Sequence, residues 1–111
     1  MPQPQGRTGV QATYSLGTLR AELPAEVSVM AVAAASEAAL LAKGYSIVRR
    51  TQSAESAEVV SRRSGDGWLE STTIASWVTA TGTAASIRRD PLGDEAESRS
   101  IMDEVLVRLG R

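Results

Sequence analysis

Four acidic side chains, Asp90, Asp94, Glu95 and Glu97, fall within eight residues beside Arg99 in the closing stretch DPLGDEAESRSIMDEVLVRLGR. Carboxylates at that density are the raw material of a hard-cation site or of acid–base chemistry. The spacing argues for something simpler. Asp94 follows Gly93 and precedes Ile101, Val105 and Leu109, which recur every four residues with Met102 and Leu106 beside them. That is a helix with Asp94 at its N-cap, where a carboxylate accepts from the unpaired N–H groups of the first turn. Glu97, three residues on, is placed to reach back to the Asp94 N–H as in a capping box. Glu95 and Glu104 each lie four residues before an arginine, Arg99 and Arg108, in the favourable order for helix ion pairs. Asp90 suits the turn before Pro91. A cation site would need Asp90, Asp94 and the distant Asp66 to converge, and no spacing here matches a calcium loop.

Arginine pairs are the second candidate. Arg49-Arg50, Arg62-Arg63 and Arg88-Arg89 stand near the ends of β-rich runs. Adjacent residues of a strand point to opposite faces. One member of each pair, Arg50, Arg62 and Arg88, is expected to share an open sheet face with Val48 and Val60. Such a face would suit phosphate, a lipid headgroup or RNA. The plainer reading, and the favoured one, is solvated strand ends paired with Glu55, Glu58 and Glu70. Trp68 and Trp77 are a potential stacking platform, but a chain without Phe needs large rings in its core or at an interface. SGDG at Ser64 lacks the glycine spacing and lysine of a phosphate loop and reads as a hairpin turn.

Composition removes much other chemistry. There is no Cys and no His. Thiol nucleophiles, zinc–thiolate sites, disulfides and Ser–His–Asp arrangements are therefore excluded. No catalytic residue, metal site or cofactor is expected. The net charge of −1 gives no field to gather nucleic acid, and no nucleic-acid partner is expected. The longest apolar run, Val29 to Ala42, has 14 residues and contains Glu37, short of the ~20 that a helical span needs. Residues 1–10 lack the apolar heart of a signal peptide, so the expected location is cytoplasmic, or the cell envelope if a signal has been removed.

The elements that would position these groups follow from periodicity. Residues 1–12, with Pro2, Pro4, Gly6 and Gly9, read as a disordered leader to a single domain over residues 13–111. TYSLGTLRAEL alternates as one strand with Leu19, Ala21 and Leu23 on one face. A helix over Ala25–Lys43, opened by Pro24 and closed by Gly44, carries Val29, Val32, Ser36, Ala39 and Leu40 at helical spacing. YSIVRRT and SAEVVSRRS are two strands, with Tyr45, Ile47, Ala57 and Val59 on the core face and Val48, Arg50, Glu58, Val60 and Arg62 on the other. Turns at SGDGW and TATGT bound two more strands, and Asp94–Leu109 is the last helix. The period of Trp68 to Val78 does not decide its core face. The expected fold is α+β: an antiparallel sheet of four to five strands, two helices on one face, in the order β-α-β-β-β-β-α.

YSLGTL (Tyr14 to Leu19), ALLAKGYSI (Ala39 to Ile47) and GDEAESRSIMDEVLVRL (Gly93 to Leu109) occur in an order that resembles a family of small bacterial domains of unknown function, often predicted lipoproteins. That family shows a Tyr-x-x-Gly-x-Leu strand, a helix ending in Gly-Tyr, an Asp-Gly turn, matched here by Asp66-Gly67, and a Gly-Asp-Glu-Ala-x-Ser-Arg helix start. The resemblance covers about Thr13 to Leu109. Its members usually carry apolar residues where Lys43 and Glu97 stand here. It implies a small α+β domain, an envelope setting and no catalytic residues. Together these readings predict a non-enzymatic interaction or structural module. A homodimer through Val48 and Val60, or another protein partner, is expected, and an anion-binding Arg face is the alternative.

Overall fold

The computed structural model describes residues 2–111. Seven antiparallel strands, β1 (Pro2–Gln5), β2 (Val10–Ser15), β3 (Thr18–Pro24), β4 (Tyr45–Gln52), β5 (Ser56–Arg63), β6 (Ser71–Val78) and β7 (Gly82–Asp90), form one sheet. Two helices, α1 (Val29–Ala42) and α2 (Glu95–Arg108), pack on it and on each other. The spatial order is β1-β2-β3-β7-β6-β5-β4. The first hairpins and the last four strands thus form two meanders joined where β3 meets β7. α1 lies over β4, β5 and β6, and α2 over β1, β3 and β7.

The class is α+β, but the expected four to five strands and the order β-α-β-β-β-β-α are wrong. Three strands precede α1. Two physical reasons account for this. TYSLGTLRAEL is a hairpin and not one strand, because Leu16 and Gly17 both take positive φ, 52° and 82°, in a two-residue turn. Those are the dihedrals that reverse a right-twisted strand pair. A leucine at the tip hides the turn from its sequence. The region read as a disordered leader, residues 1–12, instead carries β1 and the start of β2 from residue 2 onward. α2 fixes it: the Gln5 amide donates to Arg99 O (3.1 Å) and Asp103 Oδ1 (2.6 Å) and accepts from Arg99 Nη1 (3.0 Å).

The helices are close to expectation. α1 starts four residues later than Ala25, with Ser28 as its N-cap accepting from Ala31 N, and Pro24 closes β3. Val29, Val32, Ser36, Ala39 and Leu40 are all buried. Asp94 caps α2, its side chain accepting from Glu97 N at 3.0 Å. Both predicted helix pairs form, Glu95–Arg99 at 3.0 Å and Glu104–Arg108 at 3.8 Å.

The core lies between the helices and one face of the sheet. Leu19, Leu40, Ile87, Ile101, Met102 and Leu106 are its largest fully buried members. Each contributes about 1.5–3 kcal/mol by leaving water. In β6 the core face is Thr72, Ile74 and Ser76, which resolves the ambiguous segment. Trp68 and Leu69 precede β6 in an exposed loop. No described helix is long and apolar enough to cross a membrane.

Candidate functional site

Strand alternation carries charge into the core at one end of the sheet. Ala85, Ile87 and Arg89 follow one another on the covered face of β7, as Val59, Ser61 and Arg63 do on β5. Tyr45 opens β4 opposite Arg63. The tight turn after β5 turns Asp66 back inward: Arg63 N donates to Asp66 Oδ2 at 2.8 Å, and Asp66 N to Arg63 O at 2.9 Å. Glu97 arrives from the first turn of α2.

These five side chains form one network. Arg89, 6% exposed, donates to Thr72 Oγ1 (2.5 Å), to the Tyr45 hydroxyl (3.0 Å) and to Asp66 Oδ1 (3.1 Å). Tyr45 donates to Glu97 Oε2 at 2.6 Å, and Arg63 Nη1 reaches the same oxygen at 2.9 Å. Both guanidinium groups lie within cation–π reach of the Tyr45 ring, at 5.3 Å for Arg63 and 5.7 Å for Arg89. Lys43 stands 3.8 Å from Glu97 Oε1 and donates to Ser100 Oγ at 2.8 Å. Lys43 and Glu97, where the sequence reading expected apolar residues in relatives, thus face each other.

The electrostatics follow from these contacts. Burial, with the hydrogen bond to Glu97 second, pushes the Tyr45 hydroxyl up to about 12. Burial opposes the charged form of Asp66, but the Arg63 backbone N–H and the Arg89 guanidinium outweigh it and hold the carboxyl below its usual range. Burial likewise opposes charge on Arg89, and Asp66 outweighs it. The network is therefore an ionised pair, Asp66 with Arg89, beside a neutral phenol.

A cleft of about 610 Å³ opens above the network between the β5–β6 loop and the loop that leads from β7 into α2. Arg63 and Arg89 lie at its base and Trp68, Leu69 and Leu92 at its mouth. Trp68 is 82% exposed and Leu92 92%. The β2–β3 turn abuts the same loop, since a Cβ built on Gly93 would meet Tyr14 Oη at 2.5 Å and Gly17 Cα at 3.0 Å. Leu16, the other residue of that turn, is 99% exposed. Three loops at one end of the sheet thus carry bare apolar tips.

The residues singled out from sequence are not brought together as expected. Arg62 and Arg88 do lie on the open face, Arg62 donating to Gly67 O and Arg88 paired with Asp90 at 3.0 Å. Arg50 does not. The register shifts between Ile47 and Arg49, so Arg49 pairs with Val60 and Arg50 with Val59. A β-bulge adds one residue and exchanges the faces beyond it. Arg50 therefore meets Glu37 of α1 at 2.5 Å, and Arg49 takes the open face beside Glu58 at 3.2 Å. Val48 sits at the bulge on the outer strand, 59% exposed, and Val60 is half-buried on the open face. The capping box is half right: the Glu97 carboxylate bonds Tyr45 and Arg63 instead of the Asp94 N–H. Trp77 covers Ala84 on the open face with Arg20 over its ring at 5.2 Å, so neither tryptophan is in the core. Among the described residues no group of three or more acidic side chains could hold a metal ion.

Arg63, Arg89 and Asp66 as a unit were missed. Their signal was the same alternation that selected Arg62 and Arg88: the second arginine of each pair is in phase with Val59 or Ile87, and a charge in phase with the core needs a buried partner.

A family model covers residues 5–107. The chain belongs to the family described as Protein of unknown function (DUF3568). No curated protein matches it. The DUF3568 match begins at Gln5 and so takes in the β1–β2 hairpin, beyond the Thr13 start of the resemblance seen in sequence. It also includes every member of the Arg89 network and the whole cleft.

Proposed function

We propose that this domain is a non-enzymatic interaction module that engages its partner through the loop end of the sheet. The supporting observation is the set of apolar tips Trp68, Leu69 and Leu92, gathered from two loops around one cleft, with Leu16 exposed on the β2–β3 turn that abuts the second loop. Single exposed apolar residues are ordinary, but a contiguous group marks an interaction surface. The network beneath supports the non-enzymatic part. A phenol near 12 and a carboxylate held low are both far from the neutral range in which a general base works. Its role is to tie the turn after β5, through Asp66, to the start of β4, the end of β7 and the first turn of α2. An envelope setting, which the resemblance implies, belongs to this proposal, and the start of the natural gene tests it.

A photocrosslinking residue placed at position 92, and at position 75 on the open face as control, tests the surface in cells that make the protein. Adducts from position 92 and none from position 75 are expected. Equal yields, or adducts only from position 75, refute it.

A second reading is a second copy packed against the open face. Thr73, Ala75 and Ser86 floor a shallow depression there, with Glu58 and Arg88 at its margins. A two-fold axis over that floor would set arginine of one copy against glutamate of the other. Light scattering at high micromolar concentration tests it, and a monomer mass removes it.

A further inference from the structure

We propose that the cleft binds a monocarboxylate with a large apolar body, the carboxylate on Arg63 and the body between Trp68 and Leu92. This rests on the loop end being the interaction surface and specifies what that surface takes.

Arg63 is a fixed guanidinium with donors to spare. Its Nη1 is held by Glu97 at 2.9 Å and its Cζ lies over the Tyr45 ring, 5.3 Å from the centroid. Its Nε and Nη2 make no hydrogen bond to another described residue, and its side chain is 40% exposed where it lines the cleft. The Nε and Nη2 donors together form one edge of the planar fork, the geometry that grips both oxygens of a carboxylate. Arg89 is spoken for by Asp66, Tyr45 and Thr72, so it forms the base of the site and not its ligand contact.

Charge selects the ligand class. The network holds three cations, Lys43, Arg63 and Arg89, against two carboxylates, Asp66 and Glu97, which leaves one positive charge unmatched. Of the other acids lining the cleft, Asp90 is bridged to Arg88 and Asp94 caps α2. Glu70 has no ion pair among the described residues and accepts only from Gly67 N, at 2.7 Å. The bidentate edge of Arg63 suits a carboxylate, and the unpaired Glu70 beside it, which offsets the surplus charge, disfavours a phosphate dianion. A volume of about 610 Å³ is in the range of small-ligand sites, and the exposed Trp68 indole with Leu69 and Leu92 at the mouth supplies the apolar contact. A peptide C-terminus ending in a large apolar residue and a free aliphatic acid share this chemistry.

The test uses nitrogen-labelled full chain titrated with three probes: N-acetyl-leucyl-leucine with a free carboxylate, its C-terminal amide, and octanoate. The Arg63 Nε–H and Trp68 indole signals are followed. At least one of the acids should shift both signals below about 10 mM. The amide should bind at least about tenfold more weakly than its acid, the value of a charge-assisted hydrogen bond. Tighter binding of the peptide acid assigns the site to chain termini, and tighter binding of octanoate to free acids. Arg63→Lys should lose most of the binding, since an ammonium has no bidentate edge. Glu70→Gln should bind severalfold more tightly, and Arg49→Gln, whose partner Glu58 does not line the cleft, should bind as the unmodified chain does. Equal binding of acid and amide, retention of affinity in Arg63→Lys, or competition by inorganic phosphate at equal concentration overturns the proposal. If no acid shifts either signal while crosslinking from position 92 persists, the ligand class is wrong and the interaction surface stands. If both fail, the interaction reading falls with it.

Discussion

Arg88 and Arg89 are neighbours in β7, and the two faces of the sheet give them different work. On the open face Arg88 is more than half exposed and bridges Asp90 two residues away. On the covered face Arg89 is 7% exposed in its side chain and draws together Thr72, Asp66 and Tyr45 from three other segments. The open face repeats its pattern: Arg20 bridges Glu22, again two residues on, and Arg49 bridges Glu58 across a hairpin. Those pairs are local and solvated, and such pairs contribute about 0–1 kcal/mol. The covered pair has no water to return to, so each partner makes the other tolerable. The same residue type is a solvated charge on one face and a tie between loops on the other.

The largest effect should come from breaking the covered pair. Asp66→Ala should destabilise the domain by about 3–5 kcal/mol by leaving Arg89 buried without its carboxylate. Asp90→Ala, on the open side, should cost less than about 1 kcal/mol. Urea unfolding of the two variants checks the contrast, and similar costs would erase it. Because the folded Asp66 sits below its unfolded value of about 3.9, its contribution is present above that pH and is lost as the pH falls. Asp66→Ala should therefore lose less stability on acidification than the unmodified chain.

Tyr45 should come next. Its folded value of about 12 lies above the unfolded value of about 10. The neutral phenol is thus favoured by folding. Its contribution is fully present below about pH 10 and is lost as the pH rises toward 12. At ~1.4 kcal/mol per unit, the loss is about 2–3 kcal/mol. Denaturant midpoints of the unmodified chain and Tyr45→Phe should converge over that window, and parallel profiles would show that the hydroxyl is not the group responsible.

Asp94→Ala should cost about 1 kcal/mol by removing the α2 cap. Since Asp94 also lines the cleft, the sharper question is whether ligand affinity changes with it. Unchanged affinity keeps its role structural. Val60→Arg should be smallest in stability, within about 0.5 kcal/mol at a half-exposed position. If copies pair through the open face, it should also convert a dimer to a folded monomer by sedimentation.

Periodicity and capping by themselves determined both helices, the Asp94 cap, the two helix ion pairs, the turns at Asp66 and Gly82, and the four strands after α1. These depend on neighbours within a few residues, where the period of 3.6 or 2 and the special dihedrals of Gly act directly. Three things were settled only by tertiary contact. β1 has no apolar alternation, and its order comes from Gln5 bonding Arg99 and Asp103, 94 and 98 residues away. The bulge at Val48 exchanged Arg49 and Arg50, because register is fixed by the partner strand and one inserted residue inverts all that follow. The Arg89 network joins the start of β4, the turn after β5, the end of β7 and the first turn of α2. Alternation placed each of those residues on its face, but strand order decided that the ends of β4, β5 and β7 lie together and that α2 begins above them.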